Sequence, residues 1–138
     1  MGTRGVWLAI GGMIGLGCMD PTDGCGCTPT PATALVVGRV QTTASTTVAG
    51  ATVSAYIARG GHCTPQESPD GTGDTRSDGS YRVGIASPGE TESTCVLVRV
   101  RAPLGSGLED AVDTAVMLTL RYAPPLDSAR VNAILRGP

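Results

Sequence analysis

The sequence predicts an all-β domain, and three runs carry that prediction. In residues 51–57, Ala51, Val53, Ala55 and Ile57 alternate strictly with Thr52, Ser54 and Tyr56. In residues 95–101, Val96, Val98 and Val100 oppose Arg99 and Arg101, and Tyr81, Val83 and Ile85 share one face just after the turn pair Asp78-Gly79. Successive side chains of an extended chain point to opposite sides, so alternation with period two marks a strand buried on one face.

Taken in order, the first element is expected at residues 35–41, rich in β-branched side chains, with Val36, Gly38 and Val40 on one face. Residues 42–47 form a polar turn region. Residues 51–57 are the clearest strand, with Tyr56 on its outward face. Residues 60–74 hold Gly, Pro, Ser, Asp and Glu without period, and read as a surface loop longer than most connections in a compact domain. Asp78-Gly79 reads as a two-residue hairpin turn. Pro103 closes the strand at 95–101, because proline cannot donate to a ladder. Residues 115–122 put Val116, Leu118, Leu120 and Tyr122 on one face. The last segment, 127–136, fits two forms: a helix capped by Ser128 and ended by Gly137, or a strand alternating through Val131, Ala133 and Leu135. So short a helix is marginal by itself, and a strand completes the sheet, so strand is the expectation. At least six strands follow, with no internal repeat.

Composition limits the chemistry. The formal charge of the 138 residues is -2, and without Arg4 nine Arg stand against twelve acidic residues, giving -3. No basic patch points to nucleic acid. Every basic residue is Arg, which excludes a Schiff-base lysine, a P-loop and a Lys-to-Asn isopeptide crosslink. The single histidine, His62, excludes a metal centre or proton relay built on two. With Phe absent and aromatics at 3%, the core must be Val, Leu, Ile and Ala.

The N-terminus reads as an address. Arg4 precedes an apolar run over residues 6–16, the pattern of a secretory signal, whereas a bilayer span takes about 20 apolar residues. Gly15, Leu16 and Gly17 lead into Cys18, so the segment resembles a bacterial lipoprotein signal in which Cys18 becomes the lipid-bearing first residue. The resemblance implies a signal over 1–17, a lipid on Cys18 and attachment to a membrane of the cell envelope. Two other readings stay open: an ordinary signal-peptidase cut before Cys18 that frees a secreted protein, and an uncleaved anchor. Five cysteines leave an odd thiol unless Cys18 is modified, which favours the lipid. Residues 18–33, with Pro, Thr, Gly, Asp, Cys25 and Cys27 and no hydrophobic period, form a tether, leaving 34–137 for one domain.

Three pieces in order, Val37-Gly38-Arg39-Val40, Val48-Ala49-Gly50-Ala51-Thr52-Val53 and Thr75 through Val83 around Asp78-Gly79, resemble the carboxypeptidase regulatory-like domain over about residues 34–102. The resemblance implies a seven-stranded Greek-key β-sandwich, related in shape to transthyretin and to collagen-adhesin B-type repeats. It implies a binding or structural module, with no enzyme activity and no cofactor, and a protein or glycan as partner. Among enzymes of that shape, hydroxyisourate hydrolases need several histidines and a Tyr-Arg-Gly-Ser terminus, and intradiol dioxygenases need two His and two Tyr around iron. Neither set is present, so the chain is expected to be no enzyme.

Cys63 follows the 51–57 strand and Cys95 opens a later one, so the two are placed to meet and tie the long loop to the sheet; two reduced, buried thiols are the alternative, and four cysteines allow three pairings. A bridge there is worth roughly 3 to 4 kcal/mol by chain entropy. Cys25 and Cys27 fit a local disulfide, a bond between molecules, or a soft-metal site with Cys63 and His62, though the spacing matches no zinc motif. Asp70, Asp74 and Asp78 are four apart and lack the alternating ligands of a calcium loop, which leaves them as turn formers.

Overall fold

The structure is a computed structural model, and it describes residues 31–87 and 93–138. Its described residues form eight strands and no helix: β1 (Ala32–Thr42), β2 (Thr52–Ile57), β3 (Gly71–Asp74), β4 (Ser80–Ser87), β5 (Ser93–Arg101), β6 (Thr114–Thr119), β7 (Ser128–Arg130) and β8 (Ala133–Leu135). They make two sheets, β4-β1-β7 with β8 also on β1, and β3-β2-β5-β6, packed as a β-sandwich. Apart from its ends, the signal over 1–17, Cys18 and most of the tether, Cys25 and Cys27 included, lie outside the described residues.

The alternation read from the sequence is what builds the core. Ala34, Val36 and Val40 of β1, Val53, Ala55 and Ile57 of β2, Tyr81, Val83 and Ile85 of β4, and Val96, Val98 and Val100 of β5 all point into the space between the sheets. The last segment is extended, with Val131, Ala133 and Leu135 buried as its strand form requires. β7 and β8 lie parallel to β1 in one continuous register, Leu35 opposite Ser128 and Thr42 opposite Leu135, so they share a single lane broken at Val131 and Asn132.

Three expectations are corrected. Asp78-Gly79 makes a turn, closed by the Gly79 N–H to the Arg76 carbonyl at 2.9 Å with Gly79 at φ 75°, a conformation a side chain resists. It is no hairpin between paired strands: β3 pairs with β2 and β4 with β1, so the turn carries the chain from one sheet to the other. Residues 71–74, expected as loop, form edge strand β3. Tyr122 does not continue the buried face of β6; it is 52% exposed, because the chain leaves that sheet after Leu120 and Arg121 pairs with Thr33 of β1.

Strand directions give the sandwich two distinct ends. β1 enters at the end that also holds loop 58–70 and the connection from β6 to β7. It leaves toward the end that holds residues 43–51, the 76–79 turn, loop 102–113 and the C-terminus.

Candidate binding cleft

The end away from the entry of β1 carries an open cleft of about 440 Å³, walled by residues 109–112 and Thr114 on one side and by residues 132–134, Arg136 and Thr43 on the other. Its size falls in the range of ligand sites.

The β8 wall is set by an exchange of hydrogen bonds at the break in its lane. Val131 keeps its ladder N–H bond to the Val37 carbonyl at 2.8 Å, but its own carbonyl turns inward and accepts from the Tyr81 hydroxyl at 2.5 Å. The Asn132 Oδ1 replaces it and accepts from the Arg39 N–H at 3.0 Å. Only glycine permits this at position 38, where a Cβ would stand 1.8 Å from the Val131 oxygen. Burial pushes the Tyr81 phenol up to about 12, so it is a neutral donor at physiological pH.

The opposite wall is held by hydrogen bonds and by Leu108 and Ala111, which pack against the core. Asp110 Oδ1 accepts from the Ala102 N–H at 2.8 Å, Ala111 donates to Val100 at 3.1 Å, and Glu109 donates to the Arg136 carbonyl at 2.8 Å. At the loop's end Asp113 takes two bonds from Arg99, at 3.0 and 2.7 Å. The hydrogen bonds from Arg99, more than its charge, hold the Asp113 carboxyl below its usual range, and the same bonds raise the Arg99 guanidinium. Arg99 also stands 5.9 Å from the centre of the Tyr56 ring. Tyr56 does face outward on β2, yet it is only 7% exposed, so it packs as part of the structure and offers no ligand platform.

The residues singled out from sequence gather elsewhere. Cys63 and Cys95 are joined in a disulfide at the end where β1 enters, with Cα atoms 5.7 Å apart. Cys95 shares the outer face of β5 with Leu97, so the bond draws loop 58–70 toward that face, where Tyr56 is covered. It also removes the Cys63 thiolate from any metal site with His62, Cys25 and Cys27. The three aspartates separate: Asp70 accepts from the Ile57 N–H at 2.7 Å and pairs with Arg59 at 2.8 Å, Asp74 takes the Thr52 hydroxyl, and Asp78 takes the N–H and hydroxyl of Ser80. The Ser80 bonds lower the Asp78 carboxyl. Among the described residues no group of three or more His, Cys, Asp or Glu is placed to hold a metal. The cleft residues Glu109, Ile134 and Arg136 carried no motif, since their proximity arises from strand order.

No protein-family model and no curated protein matches the sequence. Similar solved structures exist. Hydroxyquinol 1,2-dioxygenase from Pseudomonas putida DLL-E4 is 14% identical with a TM-score of 0.52, over 78% of this chain and 57% of that one. Chlorocatechol 1,2-dioxygenase from Pseudomonas putida is 14% identical with a TM-score of 0.50, over 80% of this chain and 62% of that one. The dioxygenase domain of a dioxygenase carbohydrate-binding protein fusion from Streptomyces sp. SirexAA-E is 17% identical with a TM-score of 0.48, over 81% and 84%. The chain thus spans about three-fifths of the two Pseudomonas enzymes, and at these identities the likeness is one of fold. It corrects the expectation that the chain is no enzyme. That expectation rested on the absent histidine and tyrosine sets and on a family of accessory domains, whereas the solved structures that share this fold at TM-scores of 0.50 and 0.52 are dioxygenases. The two-His, two-Tyr iron set does not fit the residues present: His62 is the one histidine, it is exposed on loop 58–70, and the Tyr81 hydroxyl is taken by Val131.

Proposed function

We propose that the chain is a cell-envelope lipoprotein, acylated on Cys18 and joined through residues 18–33 to one sandwich that serves as a binding or structural module. The observation that carries this reading is the polarity of the sandwich. β1 enters at one end and the cleft opens at the other, so a domain attached to a membrane through its N-terminus would hold the cleft toward the surroundings. The Cys63–Cys95 disulfide suits an oxidising, exported location.

The finer fold, a seven-stranded Greek key of the carboxypeptidase regulatory-like kind, is part of the proposal. Its support is the placement of the three pieces: residues 37–40 in β1, residues 48–53 in the turn into β2, and residues 75–83 in the sheet-switching turn before β4. The shared lane of β7 and β8 leaves seven strand positions.

Mass spectrometry of the membrane fraction tests the anchor. A diacyl or triacyl adduct on Cys18 is expected. Either a free Cys18 or an intact 1–17 segment overturns the lipoprotein; the first leaves a secreted carbohydrate- or peptide-binding module, the second an uncleaved anchor. A glycan array probed with the full chain, with a peptide screen beside it, then tests the binding role.

A further inference from the structure

β8 is the edge of its sheet beside the cleft. Past the break at Val131 and Asn132, the register of β8 against β1, with Gln41 opposite Ile134, turns the peptide groups of residues 133 and 135 toward β1 and those of 134 and 136 away. Arg136 obeys the alternation, because its carbonyl accepts from the Glu109 N–H on the outer side. That contact is a single antiparallel rung. It goes no further: Asp110 and Ala111 bend back to Ala102 and Val100. The N–H and carbonyl of Ile134 therefore face the cleft with no partner among the described residues. The opposite edge strand is managed differently, since the outward N–H of Thr119 on β6 is covered by the Asp127 carboxylate at 2.8 Å.

We propose that the cleft takes an extended peptide segment of a partner protein, which adds as a strand to β8 and pairs with the free peptide groups of Ile134, continuing the rung that Glu109 begins. This deepens the binding role proposed above and rests on it. An edge with unpaired donors and acceptors is the recognition element of strand addition, in which backbone bonds supply affinity and flanking side chains supply choice. Val112 and Ile134, 84% and 59% exposed, offer apolar surface for alternate side chains of the segment. Glu109 and Asp110 against Arg136 leave one excess negative charge at the cleft, so the segment carries a Lys or Arg.

The test uses isotope-labelled full chain in NMR titrations with short alternating Val/Thr peptides. These bear a central Lys or a central Glu, with or without backbone N-methyl groups in one register or the other. Strand addition is expected to shift the Ile134 amide, slow its hydrogen exchange by about tenfold, favour the Lys peptide, and fail when one register is methylated but not the other. The Ile134→Pro variant removes only the outward N–H, so it is expected to keep its melting temperature and lose the peptide. Ile134→Lys, which asks nothing of proline geometry, is expected to weaken the Lys peptide by about tenfold. Equal effects of methylation in both registers, unchanged binding in both variants, or a preference for the Glu peptide would overturn the proposal. So would shifts confined to other loops, although binding there, or on the glycan array, would leave the binding role standing. Silence in every one of these assays would overturn both.

Discussion

The two ends of the sandwich are fastened by different means. Where β1 enters, loop 58–70 is tied by one covalent bond, Cys63–Cys95, supported by Asp70 on Ile57 and Arg59. At the cleft end no covalent bond is present among the described residues: loop 102–113 and the β8 lane are held by separate hydrogen bonds through Asp110, Glu109, Asp113, Tyr81 and Asn132, with Leu108, Ala111, Val131 and Leu135 packed on the core. A crosslink acts on the whole unfolded ensemble, whereas a hydrogen bond nets only about 1 kcal/mol and acts locally. The crosslink is therefore expected to weigh on global stability more than any one of these bonds. Loop 102–113, with no crosslink, is expected to open locally more readily than loop 58–70, which suits a wall that admits a ligand.

The largest break in this contrast comes from removing the crosslink. Cys63→Ala with Cys95→Ala should cost about 3 to 4 kcal/mol in denaturant melts, since the closed loop spans a separation of 32 residues. Wild-type protein under reducing agent should match it, and a loss below about 1 kcal/mol would show that the loop is held by other contacts.

Tyr81→Phe comes next. It strands the inward Val131 carbonyl and should cost about 1 to 3 kcal/mol. With the folded value near 12, above the ordinary 10.0, the Tyr81 contribution is complete below pH 10 and is lost as pH rises through 12. Phenolate absorbance should show a titration near 12 that the variant lacks.

Asp110→Ala frees only the exposed Ala102 N–H, so a loss of about 1 kcal/mol or less is expected. Hydrogen exchange should nevertheless quicken over 102–113 and remain unchanged over 58–70; quickening at both ends would erase the distinction between them. The smallest effect belongs to Asp113→Asn. Its pair with Arg99 is partly exposed and worth less than about 1 kcal/mol after screening. Because the folded Asp113 value lies below 3.8, that contribution is present above pH 4 and fades as pH falls through the folded value. Denaturant midpoints of wild type and variant should therefore converge in acid.

Strands with a buried face were legible because alternation is a local consequence of extended backbone meeting a core, as in Val96, Val98 and Val100. β3 was not, since Gly71-Thr72-Gly73-Asp74 reads as loop. Its glycines matter only once the other sheet is present: a Cβ on Gly71 would stand 2.2 Å from the Gly84 carbonyl. The disulfide could be read from two cysteines flanking strands, while the cleft could not, because Glu109 of loop 102–113 and Arg136 after β8 meet only in the folded chain.

The sequence by itself determined the inward faces of β1, β2, β4 and β5, the turn at Asp78-Gly79, and that the chain contains one histidine and no lysine. These follow from backbone period and side-chain chemistry, both local. Tertiary structure alone decided that the Asp78-Gly79 turn joins opposite sheets, that Tyr56 is covered, and that Val131 gives its carbonyl to Tyr81. It also left the edge of β8 open beside loop 102–113. Pairing partners and edges depend on the order in which strands assemble, and that order is written in contacts between distant residues.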